Sequence, residues 1–333
     1  MHAPEFWARR SPLARVLSPF GVLYGLGARL RQALALPRSV AIPVVCVGNL
    51  TVGGAGKTPT ALAIASTLRE MGVSEPGRGP HYLTRGYGGR LAGPVRVDPA
   101  IHRAADVGDE PLLLAVDAPC WVSRDRFAGA QAAVAAGAQA IVMDDGLQNP
   151  GLRKTLSLAV VDGGAGFGNG YVLPAGPLRE FAADGIDRVQ ALVVVGAVSL
   201  ATERALARVA GDRPVLGARF VVDAAGIGGR RVFAFAGIAR PEKFFASLEG
   251  VGCAVAGTAA FADHHAYSAA EIHALSERAE AAGAVLVATA KDHVRLPDAA
   301  RAIVTRVDGR LVFDRPHAVA DLLATAFRLD VPR

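Results

Sequence analysis

Lysine, cysteine and long apolar runs are scarce in this chain of 333 residues, and each shortage excludes something. Its three cysteines, Cys46, Cys120 and Cys253, are odd in number and far apart. That excludes a disulfide scaffold and any CxxC metal pair, and it fits a reducing compartment. No uninterrupted apolar stretch reaches the length of a spanning helix. The apolar residues near the N-terminus are broken by Pro19, Gly21, Gly25 and Arg29, with no small-residue cleavage site after them. The expectation is a protein without a signal peptide that stays in the cytoplasm. Acids are almost missing from residues 1–40, where six arginines face the single acid Glu5, a local charge of +5. The whole chain is only +6, so the basicity is confined to one end. A uniformly basic surface would suggest nucleic acid, whereas a basic end suggests an anionic membrane surface or an acidic partner. Only four lysines occur, Lys57, Lys154, Lys243 and Lys291, against arginine nearly everywhere else. Coding bias alone leaves such survivors, but each lysine is a position to inspect.

What is present is 51% hydrophobic, enough for a large core and, at this length, two domains. Leu13, Val16, Leu17, Phe20 and Tyr24 fall on one face of a helix over 12–31. Pro19 either kinks that helix or starts a second one capped by Ser18. Phe6, Trp7 and flanking arginines make the stripe suitable for a membrane interface, and packing on the protein's own domain is the other reading. Beyond Pro43, strand patterns at 44–47, 82–84, 120–123, 140–143 and 158–161 alternate with helices at 60–71 and 127–136. A second series follows, with strands at 231–236, 255–260 and 285–289 and helices at 242–248 and 269–282. Alternation of this kind predicts mostly parallel sheets covered by helices. Residues 214–229, rich in glycine, read as the linker between the two series.

The strongest local signal is Gly48-Asn49-Leu50-Thr51-Val52-Gly53-Gly54-Ala55-Gly56-Lys57-Thr58-Pro59, which follows an apolar strand and opens a helix. Glycines let backbone N–H groups converge on phosphate oxygens, and the helix N-terminus adds its positive dipole end. Residues 51–58 (Thr51, Val52, Gly53, Gly54, Ala55, Gly56, Lys57, Thr58) are the expected nucleotide-binding loop. Lys57 would reach the β- and γ-phosphates and Thr58 would ligate Mg²⁺. The usual first glycine of the pattern is Thr51 here. The second signal is the apolar run Ala140–Met143 ending in Asp144-Asp145-Gly146, where either acid can hold Mg²⁺. Adjacent acids on a strand point to opposite faces, so both meet one ion only if the strand ends there. No Asn-Lys-x-Asp motif for guanine is present, which favours ATP over GTP.

Further clusters follow in order: Arg85-Gly86-Tyr87-Gly88-Gly89, Gly108-Asp109-Glu110-Pro111, Asp144-Asp145-Gly146-Leu147-Gln148-Asn149 and Leu173-Pro174-Ala175-Gly176-Pro177-Leu178-Arg179-Glu180. Phe235-Ala236-Gly237-Ile238-Ala239-Arg240-Pro241-Glu242-Lys243-Phe244-Phe245, Asp263-His264-His265-Ala266-Tyr267 and Thr289-Ala290-Lys291-Asp292 complete the series. This ordered set, from about residue 10 to about residue 325, resembles the tetraacyldisaccharide 4′-kinase family of lipid A biosynthesis. Members of that family carry the same variant loop. The resemblance implies transfer of the ATP γ-phosphoryl group to the 4′-hydroxyl of an acylated glucosamine disaccharide 1-phosphate, forming lipid IV-A. It also implies a peripheral enzyme at the cytoplasmic face of the bacterial inner membrane, with the N-terminal helix touching that surface and no nucleic-acid partner.

The resemblance assigns roles. Asp109 matches the family's proposed base, with His264, or less favourably His265, as its partner. Lys57 joins them in catalysis, and Glu110 joins Thr58, Asp144 and Asp145 around Mg²⁺. Arg179, Arg85, Arg126 and Asn49 are expected to contact substrate; Arg126 can also be read as a solvated surface residue. Many relatives have His where this chain has Asn149, so a proton-relay role there is not expected. The expected division is a membrane-contacting helix at 1–40, a P-loop kinase domain at 41–222, a smaller α/β domain at 230–316 and a C-terminal helix at 317–333 that returns to the first domain. Two rivals lack support: a guanine-reading metallochaperone needs a Cys/His pair, and a partner-binding partitioning ATPase needs no second domain with a His cluster.

Overall fold

A computed structural model describes residues 4–74 and 78–329. Among the described residues thirteen strands form two sheets. In chain order they are β1 Val44–Gly48, β2 Gly79–Thr84, β3 Val95–Arg96, β4 Cys120–Val122, β5 Ala138–Asp144, β6 Leu156–Asp162, β7 Ala191–Val195, β8 Val215–Val222, β9 Arg231–Ala236, β10 Ala254–Ala260, β11 Val285–Thr289, β12 Thr305–Val307 and β13 Gly309–Phe313. The large sheet runs β13-β8-β7-β6-β1-β5-β2-β4-β3, and the small one β10-β9-β11-β12. All pairs are parallel except the two edges of the large sheet, β3 with β4 and β13 with β8. Strands β1 and β6 are buried along their full length, and β5 at every position but Gln139, as central strands of a sheet covered on both faces must be.

Two departures from the expected boundaries follow from β8 and β13. The stretch 214–229 is not all linker, because Val215–Val222 is a strand of the large sheet. The smaller unit does not extend to 316, because β13 leaves it and pairs antiparallel with β8. Leu311, Phe313, Val319 and Leu323 join the same core as Val45 and Ile64, so the helix Pro316–Leu329 also packs on the large sheet.

The N-terminal helix α1, Pro12–Ala33, runs unbroken through Pro19. It is capped by Ser11, whose Oγ accepts from the Ala14 N–H, with Pro12 in the first turn; a second start at Ser18 does not occur. Its apolar stripe does not face the protein. The buried residues are Ala14, Gly21 and Gly25, spaced seven and eleven along one narrow face. A Cβ on Gly21 would lie 2.6 Å from the Val172 carbonyl oxygen, and one on Gly25 2.6 Å from the Phe181 ring. The missing side chains are what let the helix lie this close. Leu13, Val16, Phe20, Leu23, Tyr24 and Leu30 remain at least half exposed. Arg29 anchors the helix through two 2.7 Å bonds to Asp184. No helix among the described residues is long and apolar enough to cross a membrane.

Candidate active site

The loop after β1 and the end of β5 meet because the two strands are neighbours, with Val47 paired to Asp144. Helix α2, Lys57–Glu70, starts at once after Gly56, whose φ of +90° only glycine adopts freely. Its Ala61, Ile64, Ala65 and Leu68 are buried against the sheet, which fixes the direction of the first turn. Thr51 occupies the place of the missing glycine for a structural reason. It forms an antiparallel bridge with Leu178, and the Val52 N–H donates to the Pro177 carbonyl at 2.8 Å. A β-branched residue suits that extended anchor. The anchor ties the loop to the segment that carries Arg179 and Glu180. Asn49, expected among the substrate contacts, is fully buried; its Nδ2 is 3.4 Å from Thr51 Oγ1 and from the Gly53 carbonyl, so it braces the loop from inside. Ala55 packs in the core, while Gly54 faces Ala239 of the small unit.

Thr58 Oγ donates to Asp144 Oδ2 at 2.7 Å. Asp144 is fully buried, and its Oδ1 has no partner. Burial, with the nearby Glu110 charge, pushes its carboxyl above the usual carboxylate range. The strand ends at Asp144, and Asp145 turns into the left-handed region with φ +56°. Both acids therefore reach the same side: Asp145 Oδ2 lies 3.8 Å from Lys57 Nζ. Arg179 Nη1 donates to Asp145 Oδ1 at 2.7 Å and to Oδ2 at 3.0 Å. Burial opposes ionisation of Asp145, but Lys57 and Arg179 outweigh it and hold the group below its usual range. Gln148, which carried no role in the sequence reading, bridges the Asn49 carbonyl and Glu180 at 3.0 and 2.9 Å.

Arg126 is not a solvated surface residue: it is 4% exposed, donates to the Ser123 carbonyl, and leaves Nε without a partner. Burial and the Arg85 charge push it down to about 10. Two like charges and an orphaned buried donor are a poor resting arrangement that an anion would relieve.

The helix Asp109–Asp117 begins after Gly108, where φ is +93° and a Cβ would meet the Tyr87 carbonyl at 2.5 Å. Asp109 is 4% exposed at the first turn. His264, from the loop after β10, places Nδ1 2.8 Å from Asp109 Oδ2, so the pair spans the two sheets. His265 goes elsewhere: it pairs with Glu271 at 3.0 Å and stacks on Phe261. Lys291 Nζ lies 3.5 Å from His264 Nε2 and 3.7 Å from Glu110. Arg295 Nε lies 3.5 Å from Asp109 Oδ2. Burial alone would raise the Asp109 carboxyl, but the His264 hydrogen bond and the charges of Lys291, His264 and Arg295 bring it down to about 2. The ring of His264 thus lies between the Asp109 carboxylate at Nδ1 and the Lys291 ammonium at Nε2, with Asp263 Oδ1 3.8 Å from the same Nε2.

The arrangement offers an anion-binding loop, oxygen ligands for a cation and a carboxylate–imidazole pair. The chain matches the family model of tetraacyldisaccharide-1-P 4′-kinases over residues 13–328. The tetraacyldisaccharide 4′-kinase of Rhodospirillum rubrum is 51% identical over 329 residues, 97% of either chain. That of Methylobacterium radiotolerans is 53% identical over 323 residues, 96% of this chain and 97% of the relative. A crystal structure of LpxK from Aquifex aeolicus in complex with ATP has the same fold, with a TM-score of 0.73 at 23% identity, covering 95% of this chain and 99% of that one. A match that spans almost the whole chain settles its kinship: the chain belongs to the tetraacyldisaccharide 4′-kinase family.

Proposed function

We propose that this protein transfers the γ-phosphoryl group of ATP to the 4′-hydroxyl of tetraacyldisaccharide 1-phosphate, yielding lipid IV-A and ADP. The observation that carries the reading is the Asp109–His264 pair, which one domain presents to the other beside Glu110 and the Walker-type acids. Glycines 53, 54 and 56 with the start of α2 cradle the phosphates, and Lys57 sits buried at the loop's end to meet the β- and γ-oxygens. Arg126 and Arg85 hold the anionic groups that their own repulsion invites. Asp109 accepts the proton of the 4′-hydroxyl while the hydroxyl oxygen attacks the γ-phosphorus in line. The new P–O bond forms as the bond to the β-phosphate oxygen breaks, and ADP leaves.

Mg²⁺ fits the residues. Thr58 and Asp144, with an orphaned buried Oδ1, form a hard-oxygen pair, and Asp145 and Glu110 stand beside it. When bound, the ion would neutralise charge on the phosphates. Several cations already crowd the carboxylates without it.

The exposed apolar stripe of α1, next to Arg9, Arg10 and Arg15, supports docking at an anionic membrane surface, the cytoplasmic face of the inner membrane where the lipid acceptor would be met. The test is phosphate transfer from labelled ATP to tetraacyldisaccharide 1-phosphate in mixed micelles. Wild type should transfer, and Lys57→Ala and Asp109→Ala should each lose the activity. Lipid-independent ATP hydrolysis with no transfer would overturn the acceptor assignment.

A further inference from the structure

Behind His264 lies a buried cluster with no assigned role, whose one direct approach to the pair is Arg295 Nε, 3.5 Å from Asp109 Oδ2. Asp292 is fully buried in the turn after β11. Its Oδ1 accepts from the Gly237 N–H at 2.8 Å, the Tyr267 hydroxyl at 2.7 Å and Arg295 Nη2 at 2.7 Å, and its Oδ2 accepts from Thr289 Oγ at 2.5 Å. Arg295, 5% exposed, spends its remaining donors on backbone carbonyls. Nη2 reaches the Gly237 carbonyl at 2.8 Å, Nη1 the His265 carbonyl at 3.1 Å and Nε the Lys291 carbonyl at 3.1 Å.

Those three carbonyls belong to residues that touch His264 or follow it in the chain. The His264 N–H donates to the same Gly237 carbonyl at 3.1 Å, the His265 carbonyl is next along the chain, and Lys291 carries the ammonium that faces His264 Nε2. His264 itself has φ +61°, a left-handed conformation that a residue with a side chain adopts only when its surroundings hold it. One planar fork thus fixes the strained turn from behind and Lys291 from the side. Lysine could supply the charge but not the fork.

We propose that Arg295, locked by Asp292, is the positioning residue of the Asp109–His264 pair. It holds His264 in the left-handed turn so that Nδ1 meets Asp109 and Nε2 meets Lys291. This rests on the reading of Asp109 and His264 as the proton-handling pair.

The test compares Arg295→Lys and Tyr267→Phe with wild type and with Asp109→Ala, at a temperature where all are folded by circular dichroism. Arg295→Lys should lower kcat ten- to a hundredfold with the KM for ATP unchanged within twofold, since a misplacement of about 1 Å in a reacting group costs on the order of a hundredfold. Tyr267→Phe removes one bond to Asp292 from the same cluster and keeps the test open if Arg295→Lys fails to fold; it should lower kcat three- to tenfold. In ¹⁵N-histidine spectra, assigned with His264→Gln, the ring-nitrogen signals of His264 should shift from their wild-type positions in the Arg295→Lys variant, as the contacts of Nδ1 with Asp109 and of Nε2 with Lys291 loosen. A kcat within twofold of wild type in both variants, beside an inactive Asp109→Ala, would overturn the proposal and leave the pair intact. A tenfold rise in the KM for ATP with the His264 signals unchanged would also overturn it. Full activity in Asp109→Ala would instead overturn the reading of the pair, and the proposal with it.

Discussion

Replacing Val16, Phe20 and Leu23 by serine should detach the protein from anionic vesicles without unfolding it. The three side chains lie at i, i+4 and i+7 on the outer face of α1, exposed by 70, 60 and 67%. Full burial of such a side chain contributes roughly 1.5–3 kcal/mol. With two-thirds of each surface free and a helix seated at the headgroup boundary, about 1 kcal/mol each is recovered on docking, or about 3 kcal/mol for the set. That corresponds to roughly a 150-fold loss of partitioning, at a factor of ten per 1.4 kcal/mol.

Sedimentation with vesicles containing anionic phospholipid measures the partition directly. The melting temperature should stay close to wild type, because these side chains are not packed against the protein, whose contact with α1 is the Ala14–Gly21–Gly25 face. In transfer assays the KM for vesicle-borne acceptor should rise while kcat at saturation holds. Partitioning within threefold of wild type would refute the reasoning, and the exposed stripe would then need another explanation.

Three further outcomes follow from separate parts of the molecule. Gly25→Ala should cost about 1–3 kcal/mol in urea unfolding, because the new Cβ would lie 2.6 Å from the Phe181 ring and part of the helix contact must open. Arg126→Ala should lower kcat/KM for transfer ten- to a hundredfold, from the loss of charge-assisted bonds of about 1.5–3 kcal/mol, as steady-state kinetics will read. His81, 3% exposed, is held down to about 4 by burial and by the Arg96 charge, and accepts from Trp121 Nε1 as a neutral ring. The unfolded chain takes up that proton near pH 6.5 and the folded one only near 4, so stability is lost as pH falls between them. At pH 5 the loss is about 2 kcal/mol, and His81→Gln should remove that slope from unfolding curves measured at pH 7.5 and 5.

Much of both sheets could be read along the chain because their strands are locally marked. Arg231–Ala236 and Val285–Thr289 fall where the apolar runs and flanking turns place them, and the Gly48–Thr58 loop is bounded by its strand and helix. Ala191–Val195, closed by Gly196, carries the same signal, although no motif draws attention to it. The strand Val215–Val222 is harder. It follows Pro214, contains Gly217 and finds its antiparallel partner only at Gly309–Phe313. Its parallel pairing with Ala191–Val195 and its antiparallel pairing across about ninety residues are both tertiary, so the local pattern reads as linker. The site divides the same way. Glycine spacing and an acid-tipped strand announce the phosphate end, whereas the Asp292–Arg295 turn, Tyr267 and Gly237 converge from separate segments that no spacing rule connects. The small-residue face of α1 was hidden for another reason: apolar periodicity marks what avoids water, and here the face that packs is the one with least side chain.

Asp109 and His264 should act as one unit, and their kinetics can say whether they do. A carboxylate brought down to about 2, against its burial, by the His264 hydrogen bond and the charges around it is a weak base in the resting site. In a loose phosphoryl-transfer transition state the attacking hydroxyl loses its proton late, so the carboxylate serves first by fixing the direction of that O–H. Removing it should cost on the order of a thousandfold in kcat, within the usual range for general bases. His264 touches the reaction through Asp109, which it holds at 2.8 Å, so His264→Ala alone should cost less, about ten- to a hundredfold. Once Asp109 is gone the imidazole has nothing left to orient. The double variant should therefore be no slower than Asp109→Ala, whereas independent contributions would multiply. Single-turnover transfer rates of the four proteins close the cycle, and a double variant slowed by the product of the two single effects would mean that His264 acts on the substrate by itself.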